Sequence, residues 1–136
     1  MLARRKGKVM LVASTAAFQP GPQMAVYSAS KAAMQAFLEA SRVELAPYGV
    51  GVTTVNPGFI ATPMTEKNRF KMPFLMTAPK AAAIIADGLE RGARVVEFPG
   101  PMSLLMRFTR LLPAAVYDLA AVPLGRRKVD ESKVRR

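Results

Sequence analysis

The chain has 136 residues, 51% hydrophobic and 21% charged, the apolar content of one modest globular domain, which excludes disorder for most of its length. It contains neither cysteine nor histidine, so disulfide frameworks, thiol nucleophiles, histidine-based triads and the common zinc sites are excluded. No metal site is expected, and any catalysis falls to Tyr, Lys, Ser, Thr or carboxylates.

The formal net charge of +11 is concentrated at the ends. Arg4, Arg5, Lys6 and Lys8 open the chain, and Arg126, Arg127, Lys128, Lys133, Arg135 and Arg136 close it. Terminal clusters of this kind read as solvated tails. No groove-reading motif or aromatic stacking platform points to a nucleic-acid partner. The absence of thiols is compatible with a cytoplasmic location.

Residues 9–30 carry no charge, and about 20 apolar residues suffice for a membrane span. Gln19, Pro20, Gly21, Pro22 and Gln23 interrupt the run with turn chemistry, so it reads as a strand, a loop and a helix start. The N-terminus also lacks a convincing secretory cleavage site. Residues 8–14, KVMLVAS, predict a strand buried on both faces. From about Pro22 to Ala46 the apolar spacing predicts the longest helix, started by Pro22 and stopped by Pro47. GVGVTTVNP, residues 49–57, predicts a second strand ended by Pro57 and Gly58. Residues 63–76 read as a loop with a helical turn. Thr77 to Arg91 predicts a helix with Gly92 as its stop, and Arg94 to Phe98 a third strand.

Alternating strands and helices with short connections predict an α/β fold, with helices packed over a parallel sheet of about three strands. Two readings of the apolar run LLMRFTRLLP within residues 101–125 stand: a helix on the protein's own surface, or a peripheral membrane contact. Pro113 and Pro123 shorten the run and favour the first.

Tyr27 and Lys31 stand one helical turn apart, with Cβ atoms about 5–6 Å from one another. A cation about 4 Å from a phenol favours the phenolate by roughly 4 kcal/mol at an effective dielectric of about 20. Such a pair makes a usable proton donor and acceptor. Ser14 lies at the carboxyl end of the first predicted strand, where parallel sheets place their ligands, and its hydroxyl suits a substrate carbonyl oxygen.

Ser14, then Tyr27-Ser28-Ala29-Ser30-Lys31 thirteen residues later, then Asn56-Pro57-Gly58-Phe59-Ile60-Ala61-Thr62, resembles the short-chain dehydrogenase/reductase family. The likeness covers residues from about 7 to 66 closely and reaches the third strand more loosely. It implies a Rossmann-like, doubly wound parallel sheet and an oxidoreductase using NAD or NADP to interconvert a carbonyl and an alcohol. By this resemblance Tyr27 moves the proton, Lys31 tunes Tyr27 and holds the nicotinamide ribose, and Ser14 polarises the substrate oxygen. Thr15 is the nearest alternative hydroxyl, but the spacing favours Ser14. Pro57, Gly58, Ile60 and Thr62 would wrap the nicotinamide end.

The resemblance also implies that residues 1–125 are the C-terminal part of such a domain, without its cofactor-binding N-terminal half, and that 126–136 is a basic tail. The Gly-rich strand-to-helix turn that cradles a pyrophosphate is missing, since Gly49 and Gly51 precede a strand. Homo-oligomers, built through the long helix, are the implied assembly. The alternative is a non-catalytic fragment that associates with a partner through an unpaired strand edge. Met64, Phe70, Met72 and Phe74, with Met102, Leu104, Leu105 and Phe108, hint at a hydrophobic substrate.

Overall fold

Strand propensity and alternation lay down a small parallel sheet. The computed structural model describes residues 1–66, 68 and 71–126. Strands β1 (Gly7–Val12), β2 (Val50–Pro57) and β5 (Val95–Phe98) pair in the order β1-β2-β5, all parallel. Between them run α1 (Ala25–Leu45) and α3 (Ala78–Glu90), and α4 (Gly100–Arg110) and α5 (Ala114–Arg126) follow. The α/β architecture expected from the sequence is thus present, with each of the three strands within two residues of its predicted ends.

Central β2 separates two packed layers, because successive side chains point to opposite faces. Val55, with Val96 and Phe98 of β5, meets Ala81, Ile84 and Ile85 of α3 in the main apolar core. Burying one such Val or Phe side chain contributes about 1.5–3 kcal/mol. The other face carries Asn56 and its register partner Glu97, which meet α1 and α4. α3 can press close to β5 because residue 88 is glycine: an added Cβ would stand 2.4 Å from Val96 Cγ2. The α3 end is set by Gly92, whose φ of +68° is the left-handed conformation expected of a helix stop.

Five expectations change. Pro22 lies in the loop before α1, three residues ahead of the first helical residue, and Met24 precedes the helix without a side-chain cap. Pro47 instead enters a short 3-10 turn, Ala46–Tyr48, that continues α1. Pro123 sits inside α5 rather than ending it. Residues 60–77 add two short strands, β3 (Ile60–Ala61) and β4 (Met76–Thr77), paired in parallel around a four-residue α2 (Pro63–Glu66). Two-residue strands carry no periodicity, so no sequence pattern announces them.

The fifth change concerns β1, which is not buried on both faces. Val9 and Leu11 are half-buried on the α1 side, whereas Lys8, Met10 and Val12 are exposed on the α3 side. α3 lies over β2 and β5, and a bond from Lys8 Nζ to the Leu89 carbonyl links it to β1. Met10 and Val12 keep 38% and 39% of their surfaces accessible. Among the described residues the outer edge of β1 has no strand partner. No helix among them is long and apolar enough to cross a membrane. The tail after Arg126 and residue Phe70 lie outside the described residues.

Two outcomes follow from this packing. Gly88→Ala gains about 1 kcal/mol of helix propensity but drives the new methyl group into the Val96 side chain, and a net loss of about 1–2 kcal/mol is expected in urea unfolding. An open strand edge flanked by apolar side chains promotes association. The chain is therefore expected to self-associate with rising concentration, and Met10→Lys to reduce this in analytical ultracentrifugation. A monodisperse monomer with cooperative unfolding would contradict it.

Candidate active site

The carboxyl ends of β1 and β2 and the amino end of α1 meet on one side of the sheet, the side where parallel sheets bind ligands. Ala13 N–H donates to the Val55 carbonyl at 2.8 Å, extending the β1–β2 pairing just past β1. Ser14 then leaves the sheet in an extended conformation, and its Oγ accepts the Ala16 N–H at 3.2 Å, capping a short 3-10 turn, Thr15–Ala17. Thr15 turns inward, and its hydroxyl reaches the Pro57 carbonyl at 3.4 Å. The two candidate hydroxyls therefore divide: Thr15 latches the turn to the end of β2, and Ser14 stays at the turn's start.

Tyr27 stands in the first turn of α1 with 41% of its surface accessible. Lys31, one turn on, folds back so that Nζ lies 5.8 Å from the Tyr27 ring centroid, within cation–π range. The same Nζ donates to the Val12 carbonyl at 2.9 Å. That bond ties the helix to the end of β1, two residues before Ser14. Ser14, Tyr27 and Lys31 are thereby gathered around one strand end.

Pro57 and Gly58 join this edge from β2. Gly58 N–H donates to the Phe98 carbonyl at 2.7 Å, and a Cβ there would lie 2.8 Å from both Met102 Sδ and Pro99 Cδ. The turn is thus pressed onto the β5–α4 junction, where the Phe98–Pro99 peptide is cis. Ile60 and Thr62 sit further along. Ile60 packs its side chain against the Val55 core, and Thr62 engages Thr65, whose Oγ1 accepts the Thr62 N–H at 2.9 Å. Thr65 Oγ1 also lies 2.6 Å from the Ile60 carbonyl. No hydrogen bond among the described residues joins Ile60 or Thr62 to Ser14, Tyr27 or Lys31.

Behind the site runs a polar chain that the sequence reading does not assign. Gln35 of α1 donates through Nε2 to Asn56 Oδ1 at 2.7 Å, and Asn56 Nδ2 donates to Glu97 Oε1 at 3.2 Å. Glu97 receives Arg107 of α4 through two bonds, at 2.7 and 3.2 Å, and the guanidinium lies 5.2 Å from the Phe18 ring centroid. Asn56 is 2% exposed, so both ends of its amide are satisfied inside the protein. The hydrogen bond to Glu97, and then its charge, raise the Arg107 pKa above its ordinary range. A cation whose folded pKa is raised contributes stability that is present below its unfolded pKa and lost as pH rises through the folded one, so on the alkaline side this pair holds up to the arginine range. The signal for the chain was Asn56 as the one amide in β2 and Glu97 as the one charge in β5.

A model of the short chain dehydrogenase family matches residues 1–73. The chain belongs to that family. An uncharacterized oxidoreductase of Myxococcus xanthus is 39% identical over 121 residues, covering 89% of this chain and 48% of the relative. The 11-beta-hydroxysteroid dehydrogenase-like 3 protein of Arabidopsis thaliana is 33% identical over 120 residues, covering 85% of this chain and 38% of the relative. Among solved structures, a short chain dehydrogenase from Burkholderia cenocepacia in complex with NADP superposes with a TM-score of 0.73 at 31% identity, covering 88% of this chain and 50% of that one. The chain spans about half the length, or less, of the relatives it matches.

Removing the Asn56 amide leaves Gln35 and Glu97 short of a buried partner. Asn56→Ala is expected to cost about 1–3 kcal/mol, and Asn56→Asp more, since it sets a second carboxylate against Glu97. Urea unfolding of the two variants checks the order.

Proposed function

We propose that this chain carries the proton-transfer centre of an NAD- or NADP-dependent oxidoreductase that interconverts a carbonyl and an alcohol. The observation that carries the reading is the Lys31 ammonium, placed against the Tyr27 ring and anchored to the end of β1 beside Ser14. Membership of the short chain dehydrogenase family supports it.

In the reductive direction Tyr27 gives its hydroxyl proton to the substrate oxygen, and in the oxidative direction the phenolate takes the alcohol proton. The exposure of Tyr27 lets solvent restore its proton after each turnover. Lys31 stabilises the phenolate that forms. Ser14 Oγ accepts the Ala16 N–H, and its own O–H has no acceptor among the described residues, which leaves it to donate to the carbonyl oxygen.

The nicotinamide end of the cofactor fits the residues present. An ammonium has three donors, and Lys31 directs one to Val12, leaving two for ribose hydroxyls. Pro57, Gly58, Ile60 and Thr62 supply the wall on the β2 side. A bound nicotinamide supplies or accepts the hydride. The pyrophosphate does not fit this chain's glycines: Gly49 closes the 3-10 turn before β2 with φ +67°, and Gly51 lies within β2 near its amino end, opposite the Tyr27 side. We assign that grip to residues outside this chain, consistent with relatives about twice its length. NADP, present in the Burkholderia structure, is the first cofactor to test.

A hydrophobic carbonyl or alcohol is the substrate class proposed, and assembly through the outer face of α1, where Val26, Phe37 and Val43 are exposed, is the homo-oligomer proposed. The second reading, a non-catalytic association module, draws on the open edge of β1.

The test is NADPH-dependent reduction of apolar ketones, paired with thermal stability as NADP is titrated. Tyr27→Phe is expected to lower turnover by about 10²-fold or more while leaving the NADP-dependent stabilisation in place. Lys31→Met is expected to lose both. Turnover unchanged by Tyr27→Phe would sink the assignment, and the absence of both turnover and stabilisation would favour the association module.

A further inference from the structure

We propose that the outer face of α4, continued over the α4–α5 turn, docks in the plane of an anionic phospholipid surface. α4 buries Met102 and Ser103 on the side that packs against β5. The opposite side carries Leu104, Leu105, Phe108, Leu111 and Leu112, all exposed, with Leu111 77% accessible. Steps of three and four residues align them as one stripe that runs past the end of the helix. Leu119 of α5, 80% accessible, adds to the apolar surface beyond the turn. A solvated helix has no use for so continuous an apolar face, and such faces mark binding surfaces.

Charge selects the occupant. Arg110 is exposed in the last turn of α4. The closing segment RRKVDESKVRR holds six basic and two acidic residues, a net of +4, within a chain of net charge +11. Arg107 adds nothing here, because Glu97 already pairs with it. A second copy would bring a chain of net charge +11 against its like, whereas anionic headgroups attract so basic a chain and the acyl boundary takes the leucines. Since no described helix is long and apolar enough to cross a membrane, the contact lies along the surface.

Vesicle flotation with the full 136-residue chain tests this. The chain is expected to float with vesicles of phosphatidylcholine and phosphatidylglycerol, to float less as salt rises, and to stay behind with phosphatidylcholine alone. The doubly substituted Phe108→Ser, Leu111→Glu variant, with its circular dichroism unchanged, is expected to bind at least about tenfold more weakly. The chain has no tryptophan, so Phe108→Trp supplies a single reporter whose emission is expected to shift to the blue on binding. No flotation, equal flotation of the double variant, or bound vesicles with unshifted emission would each overturn the proposal. So would self-association that the same substitutions abolish, without vesicle binding, which would assign the face to a second copy.

Discussion

The amide of Asn56 is the constraint on which the arrangement depends. It is buried at the carboxyl end of the central strand, where an amide must be hydrogen-bonded at both ends or cost about 1–3 kcal/mol per lost partner. Its oxygen takes Gln35 from α1, and its nitrogen gives to Glu97 on β5, which in turn holds Arg107 of α4. Apolar packing is tolerant of small slides and rotations, but this chain of directed bonds is not. It fixes the rotation of α1 relative to the sheet, and with it the direction of the residues one and two turns earlier.

Those residues are Lys31 and Tyr27. Gln35 lies one turn beyond Lys31, on the same inward side of the helix, so the bond that satisfies Asn56 also delivers the Lys31 ammonium to the Val12 carbonyl. On the sheet side, Thr15 holds the Ser14 turn to Pro57, and Gly58 holds the end of β2 to Phe98. Three elements distant in sequence are locked together by polar bonds at one end of the sheet, while the apolar core with α3 stabilises the opposite face. The site is rigid from behind and open in front.

Much of this was legible because it is local. Apolar and β-branched runs announced β1, β2 and β5, Gly92 announced the end of α3, and the spacing of Ser14, Tyr27 and Lys31 singled out the candidate site, where Lys31 Nζ lies over the Tyr27 ring. What escaped is set by tertiary context. Pro22 has the chemistry of a helix start, yet the Pro-Gly-Pro loop holds it outside α1. The exposed side of β1 reads as buried because Met10 and Val12 are apolar, and only the position of α3 over β2 and β5 leaves them uncovered. The Asn56–Glu97 link joins residues 41 apart in sequence, so its partners cannot be paired by any local pattern. The apolar stripe of α4 was visible, but its outward direction depends on Met102 and Ser103 taking the inward side.

The two ends of the sheet then have different meanings. The carboxyl end holds Ser14, Tyr27 and Lys31, on which the proposed nicotinamide site rests, and among the described residues Gly49 and Gly51 at the amino end form no glycine-rich strand-to-helix turn. Titration of the isotope-labelled chain with nicotinamide mononucleotide, which lacks the adenosine half of the cofactor, separates these ends by amide NMR shifts. The account predicts shifts clustered at Ser14, Lys31 and Gly58, and diminished by Lys31→Met. Shifts centred on Gly49 and Gly51, or no shifts at all, would contradict it.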